Sequence, residues 1–262
     1  MATLLVTGAT GNLGSKVVRQ LHDRGQQVRA YSRQSRPWVP AGVEVYAGDI
    51  LVGSALGEAT RGVDAIIHCA TFFEPGYATD LQGTRFLLEA ARANGSPHLV
   101  YISIAGIDYS PFSYFQVKLE VEHMIEQSGL PYSILRATQF HDFVLSLITS
   151  GEDEKTQTIT IPAGTRFQSI DVSEVAQALA TLAEQSAAGH VPAIGGPEVL
   201  TLEEMTQTYL RVSHKQSVIR SEGPETFPGE YYDACRSDEK LAPDRAVGRI
   251  TWEQFLQERM HH

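Results

Sequence analysis

The sequence predicts an α/β fold, a doubly wound parallel sheet with a small C-terminal α/β lobe. Three observations predict it. Short apolar runs alternate with longer amphipathic stretches through the first half of the chain, the rhythm of βαβ units. The apolar runs are continuous rather than alternating, as in strands buried on both faces. The first run breaks into glycines at positions 8, 11 and 14 before a helical pattern begins, so the chain passes from strand to helix on residues that lack a Cβ.

Taken in order, strands are expected at Thr3–Thr7, Gln27–Tyr31, Val43–Ala47, Ala65–His68, His98–Ser103 and Tyr132–Arg136. Between them, apolar residues at helical spacing predict helices near Leu13–Asp23, Ser54–Ala59, Thr79–Ala93 and Ser113–Gln127. "ANG" at 93–95 and "SGLP" at 128–131 read as helix stops. After about Phe143 the rhythm loosens, and the polar "TSGEDEKTQT" (149–158) reads as a loop. A strand at Arg166–Ile170 leads into a helix over 171–185, which Asp171 or Ser173 can cap, with Glu174 in its first turn. A further strand is expected at Val191–Ile194, then a helix over 200–212 with Thr201 as N-cap, and "TWEQFL" (251–256) as a terminal docking helix. The expected division is a sheet domain over 1–150 and a small substrate lobe over 151–262, of which about 166–195 returns to the sheet.

Composition excludes several classes. With 21 Lys and Arg against 31 Asp and Glu, the net charge is −10, which disfavours nucleic-acid binding by charge. The two cysteines, Cys69 and Cys235, have neither metal nor disulfide-framework spacing, so a reducing compartment is expected. No apolar run reaches membrane-spanning length. No basic region precedes an apolar segment at the N-terminus, so no leader and a cytoplasmic location are expected. No His, Cys, Asp and Glu set has metal spacing, and Ser103 lacks the G-x-S-x-G turn of a hydrolase.

The glycine turn points to a phosphorylated ligand. One glycine allows a tight turn, one removes the Cβ that would block a diphosphate, and one lets helix and strand pack closely. Exposed amides at the helix start then hold the anion. Gly8, Thr10, Gly11, Asn12, Leu13 and Gly14 are therefore the first candidate binding residues. A dinucleotide with a ribose 2′-OH would meet an acid at the end of the second strand. Here that strand ends "VRAYSRQSRP", offering Ser32, Arg33 and Arg36 and no acid. Guanidinium groups suit a 2′-phosphate, so NADP(H) is expected over NAD(H).

The spacing G-x-x-G-x-x-G in "TGATGNLG" resembles the fingerprint of extended and atypical short-chain dehydrogenase/reductases, including the NmrA-like family. "AGDI" (47–50), "GVDAIIHCA" (62–70), "YISIAGID" (101–108), "LPYSILRATQF" (130–140) and "SIDVSEVAQAL" (169–179) match that family's landmarks in order, over roughly the first 200 residues. The resemblance implies a Rossmann sheet. It implies that Asp49 and Ile50 meet the adenine, and that Cys69, Ala70 and Thr71 line the cofactor after the fourth strand.

"SYFQVKLE" contains Tyr114 and Lys118, which share a helix face at i and i+4. A lysine charge lowers a tyrosine pKa and can hold a ribose, and the tyrosine can then pass a proton as hydride moves. The resemblance places such a pair on the helix after the fifth strand. Ser103 is the candidate for bonding a substrate carbonyl, although Ile104 stands where sugar-nucleotide epimerases align their serine. Phe72, Phe73, Gln139, Phe140 and His141 follow strand ends that face the ligand crevice, so they are expected to border substrate. The leading expectation is an NADP(H)-dependent oxidoreductase of a small carbonyl or quinone-like compound, monomeric or homodimeric. The alternatives are a non-catalytic NmrA-like NADP(H) sensor with a protein partner, and a nucleotide-sugar epimerase or dehydratase.

Overall fold

A computed structural model describes residues 1–72 and 77–260. The chain divides into two compact units, the first made of 1–103, 116–136 and 173–192, the second of 104–115, 137–172 and 193–262.

The first unit holds the parallel sheet. Its strands are β1 (Thr3–Thr7), β2 (Gln27–Ser32), β3 (Glu44–Ala47), β4 (Ala65–His68), β5 (His98–Ile104) and β6 (Tyr132–Ala137). The spatial order is β3-β2-β1-β4-β5-β6, closed at the far edge by the short strand Gly189–His190. β1 pairs in parallel with β2 on one side and β4 on the other. Strand order therefore reverses beside β1, and ligands in such sheets bind outside the carboxyl ends of the strands at that reversal. The helices are α1 (Asn12–Asp23), α2 (Leu56–Ala59), α3 (Ala78–Ala93) and α4 (Ser113–Glu126), then α5 (His141–Ser150), which belongs to the second unit, and α6 (Val172–Ala183). α1 buries Leu13, Val17, Val18 and Leu21 as one stripe, the spacing of an amphipathic helix on a sheet. Leu5, Ile66, Leu99 and Ile134, one from each of four strands, are fully buried in a single core cluster.

The second unit has a core of its own around Ile148, Ile159, Ile161, Phe167, Trp252 and Leu256. It contains a three-stranded sheet in which Thr158–Pro162 lies between Val218–Glu222 and Glu152–Asp153. The stretch expected as a loop over 149–158 thus carries one arm of a hairpin, and Val218–Glu222 was not foreseen. The strand expected at Arg166–Ile170 is shorter, Arg166–Phe167, and pairs antiparallel with Leu200–Thr201. The strand expected at Val191–Ile194 is displaced to Gly189–His190, which pairs with β6. Thr201 caps Leu202–Val212 as expected, within a reciprocal capping box with Glu204. Among the described residues, no helix is long and apolar enough to cross a membrane.

Candidate active site

β1 delivers the chain to Gly8, whose φ of +64° only glycine adopts without strain. A Cβ there would stand 2.8 Å from the Cys69 carbonyl carbon and the Ala70 amide nitrogen, so the turn after β1 nests against the end of β4. The Gly11 amide donates to the Gly8 carbonyl at 2.9 Å and closes the turn. A Cβ on Gly14 would lie 2.1 Å from that same carbonyl oxygen. Gly8 and Gly14 are therefore demanded by packing. Gly11 is different. It is the exposed N-cap of α1 with extended backbone, and it makes no side-chain cap bond. The first turn of α1 contains no acidic residue. The amides of Asn12, Leu13 and Gly14 have no acceptor inside the helix, and they sit at its positive end. That arrangement fits a diphosphate.

At the end of β2 the Ser32 hydroxyl lies 3.2 Å from that of Thr10 and accepts from the Gln34 amide at 3.1 Å. Ser32 thereby joins the glycine turn to the turn after β2. Arg33 and Arg36 are exposed. The Arg33 guanidinium lies 5.9 Å from the ring centre of Phe72, so Phe72, expected to border substrate, stands beside the residue expected to meet the 2′-phosphate. Asp49 uses one carboxylate oxygen to accept from the Leu51 amide at 3.0 Å, capping the turn at Ile50–Val52. Ile50 is buried.

The end of β4 carries a buried polar cluster. His68 lies between the hydroxyls of Thr7, at 2.7 Å, and Thr84, at 3.0 Å. Burial holds its pKa down near 3, so the ring is neutral. The Ala70 amide donates to Thr7 Oγ1 at 3.3 Å. Burial pushes the Cys69 thiol up to about 12, which makes it a poor nucleophile. Asp80, in the first turn of α3 and 1% exposed, is the centre of the cluster. It accepts from Thr71 Oγ1 at 2.9 and 3.0 Å and from the Phe72 amide at 3.3 Å. It also accepts from Lys118 Nζ at 3.4 Å. The Lys118 side chain is 4% exposed, and its ammonium sits 4.6 Å above the Tyr101 ring. The sequence reading missed Asp80. An acid near the start of a helix ordinarily faces solvent, and the one available signal was its place just after the fourth strand.

Tyr114 is the second residue of α4, half-buried, one helical turn before Lys118. Ser103, near the end of β5, is 2% exposed, and its hydroxyl has no hydrogen-bond partner among the described residues. Gln139, Phe140 and His141 belong to the second unit. There the His141 ring is 1% exposed, bonded to Ser169 Oγ at 2.7 Å and to the Ile250 carbonyl at 3.1 Å. That is the environment of a packed core histidine, and burial lowers its pKa. Phe140 is the N-cap of α5 and makes no side-chain cap bond, and the Gln139 side-chain oxygen is buried without a partner among the described residues. Phe73 lies outside the described residues. Among the described residues, no group of three or more His, Cys, Asp or Glu could hold a metal ion.

Residues 8–186 match the NAD(P)H-binding family. The chain belongs to that family, the NmrA-like, atypical reductase grouping that the glycine fingerprint resembles, and a nicotinamide dinucleotide is its cofactor class. The chain is 31% identical over 213 residues to a (4-alkanoyl-5-oxo-2,5-dihydrofuran-3-yl)methyl phosphate reductase of Streptomyces griseus, covering 80% of this chain and 73% of that protein. It is 32% identical over 149 residues to the photosystem II assembly factor Ycf39 of Cyanophora paradoxa, covering 53% of this chain and 46% of that one. The chain spans about half the length of this and similar curated relatives. Among solved structures, an NADPH-dependent quinone oxidoreductase from Escherichia coli superposes with a TM-score of 0.80 at 21% identity, over 98% of this chain and 99% of that one. The triphenylmethane reductase of a Citrobacter species gives 0.77 at 24%, over 98% of each. These superpositions establish the fold.

Proposed function

We propose that the chain is an NADP(H)-dependent reductase of a small carbonyl or quinone-like compound. The observation that carries the reading is Lys118, a lysine buried to 4% side-chain exposure beside Asp80, one turn beyond Tyr114. Burying an ammonium is costly unless it is paired; Asp80 pairs it here, and a charged lysine kept one helical turn beyond a tyrosine supports a chemical role. The curated reductase from Streptomyces griseus supports the reaction class.

The amides at the start of α1, with Gly11 in front of them, would hold the diphosphate. Ser32, Arg33 and Arg36 would meet the 2′-phosphate, with Phe72 against Arg33. Asp49 and Ile50 would border the adenine, Cys69, Ala70 and Thr71 would line the path between, and Lys118 would hold the nicotinamide ribose. The bound cofactor supplies a hydride. Tyr114 gives its hydroxyl proton to the substrate oxygen as charge develops there, Lys118 eases that loss by favouring the phenolate, and Ser103 donates a hydrogen bond to the same oxygen.

Cofactor titration by fluorescence and turnover over a panel of quinones and carbonyls test the reading. NADPH is expected to bind at least tenfold more tightly than NADH. Turnover is expected to fall about a hundredfold or more in Tyr114→Phe, the usual worth of a general acid. The similarity to a protein named as an assembly factor leaves room for a non-catalytic role with a protein partner; of such roles, an NADP(H) sensor would be selected by tight NADPH binding with no turnover on any substrate. Full activity in Tyr114→Phe would remove the tyrosine from the mechanism.

A further inference from the structure

The ion pair between Asp80 and Lys118 joins two helices whose apolar faces share one core cluster. Asp80 stands on α3 and Lys118 on α4. One Asp80 oxygen takes the Lys118 ammonium at 3.4 Å and the Thr71 hydroxyl at 2.9 Å. The other takes the Thr71 hydroxyl at 3.0 Å and the Phe72 amide at 3.3 Å. A single buried carboxylate thus ties the segment after β4 to the lysine. The Tyr101 ring closes one side of the ammonium. His68 and Cys69 on β4 and its end also feel the lysine charge, and burial keeps both uncharged. Asp80 is an anion that meets Lys118 beside this neutral wall.

We infer that Asp80 is a positioning residue: its carboxylate keeps the Lys118 amine charged and fixes it, together with Thr71 and Phe72, in the place from which the lysine holds the nicotinamide ribose. The last clause rests on the proposed function. The electrostatic part does not. An isolated buried ammonium loses its proton more readily, and an opposite charge within about 4–6 Å restores it by one to three pH units. Deleting the carboxylate charge without changing its shape removes that support.

The chain has five lysines, at 16, 118, 155, 215 and 240, so lysine labelled with ¹³C at Cε gives a spectrum in which Lys118→Met assigns the site. In the Asp80→Asn protein without cofactor, the Lys118 signal is expected to titrate at least about one pH unit lower than in the wild type. NADPH fluorescence is expected to report affinity about tenfold weaker. A Lys118 signal that titrates alike in both proteins overturns the inference, as does unchanged NADPH affinity where the wild type binds. A wild type that binds no NADPH sinks the proposed function, and the titration still decides the role of Asp80. Should Asp80→Asn fail to fold, the double variant with Lys118→Met is expected to fold again, because it removes both members of the pair. Failure of the double variant would show that Asp80 serves the fold alone and overturn the inference.

Discussion

Gly11 and Gly14 lie three residues apart, yet the same substitution has opposite consequences at each. At Gly14 an added methyl meets the Gly8 carbonyl oxygen at 2.1 Å, and backbone cannot yield as a side-chain tip can. Gly14→Ala is expected to cost about 1–3 kcal/mol, the usual penalty for overpacking, read as a lower urea midpoint. At Gly11 the same methyl stands 3.2 Å from that oxygen, a contact relieved by a few tenths of an ångström. Gly11→Ala is expected to unfold within about 1 kcal/mol of the wild type while its NADPH affinity drops at least tenfold, since the methyl enters the space kept for the diphosphate. Equal NADPH affinity in Gly11→Ala and wild type would mean that the diphosphate does not lie over this residue. Arg33 has a more selective consequence. It is exposed and stacked near Phe72, so Arg33→Ala removes little from the fold. It is expected to weaken NADPH by roughly tenfold, the worth of one charge-assisted hydrogen bond, and to leave NADH affinity unchanged. An equal loss for both cofactors would place the 2′-phosphate elsewhere.

At the scale of elements, α4 is held to β6 by a second buried ion pair. Arg136 donates to Glu122 from Nε at 2.9 Å and from Nη2 at 2.6 Å, a bidentate contact, and the Glu122 side chain is 1% exposed. Glu122 is four residues beyond Lys118 on the same helix, so one face of α4 is fixed twice, by Asp80 and by Arg136. Removing the carboxylate charge weakens both hydrogen bonds of the pair: Glu122→Gln is expected to cost about 2 kcal/mol, measured by urea unfolding. The double variant with Arg136→Met is expected to recover most of that loss. Additive losses in a double-mutant cycle would mean the pair contributes nothing to holding the helix. These elements also show what the sequence reveals. β1, β4, β5 and β6 were readable because each centres on a run of two or more consecutive buried apolar residues, such as Leu4–Val6 and Ile66–Ile67. Thr158–Pro162 and Val218–Glu222 were not readable. The first alternates β-branched residues, Thr with Ile, but is only five residues long and follows directly on a polar stretch; the second is exposed or half-exposed throughout, so it has no pattern distinct from a loop. At the site, the glycine turn was legible because a φ above zero and close backbone approach leave only glycine. Asp80 was hidden because its meaning lies in Lys118, 38 residues away.

For the whole molecule, acid is the sensitive direction, and buried histidines set it. His68, His98 and His141 are all held below the ordinary imidazole range, each first by burial. Two lie in the first unit and one in the second. In the unfolded chain each takes up a proton as pH falls through about 6.5. In the folded chain His68 stays neutral until about 3. Between those values the unfolded state binds more protons, so the stability these rings contribute is complete above about pH 6.5 and is lost as pH falls. The slope is about 1.4 kcal/mol per pH unit for each neutral ring. By pH 4.5 His68 alone removes about 3 kcal/mol, a large part of the 5–15 kcal/mol that holds a typical domain. Exposed pairs such as Arg211–Glu253, with side chains 58% and 41% accessible, cannot offset this, since each contributes about 0–1 kcal/mol. His68→Gln keeps a polar side chain between Thr7 and Thr84 but has no proton to gain. It is expected to be less stable than the wild type at pH 8, and the two unfolding curves are expected to approach each other as pH is lowered to 5. Parallel curves from pH 8 to 5 would show that His68 takes up its proton as readily in the folded protein as in the unfolded chain, and with that the uncharged wall behind Lys118 would no longer stand.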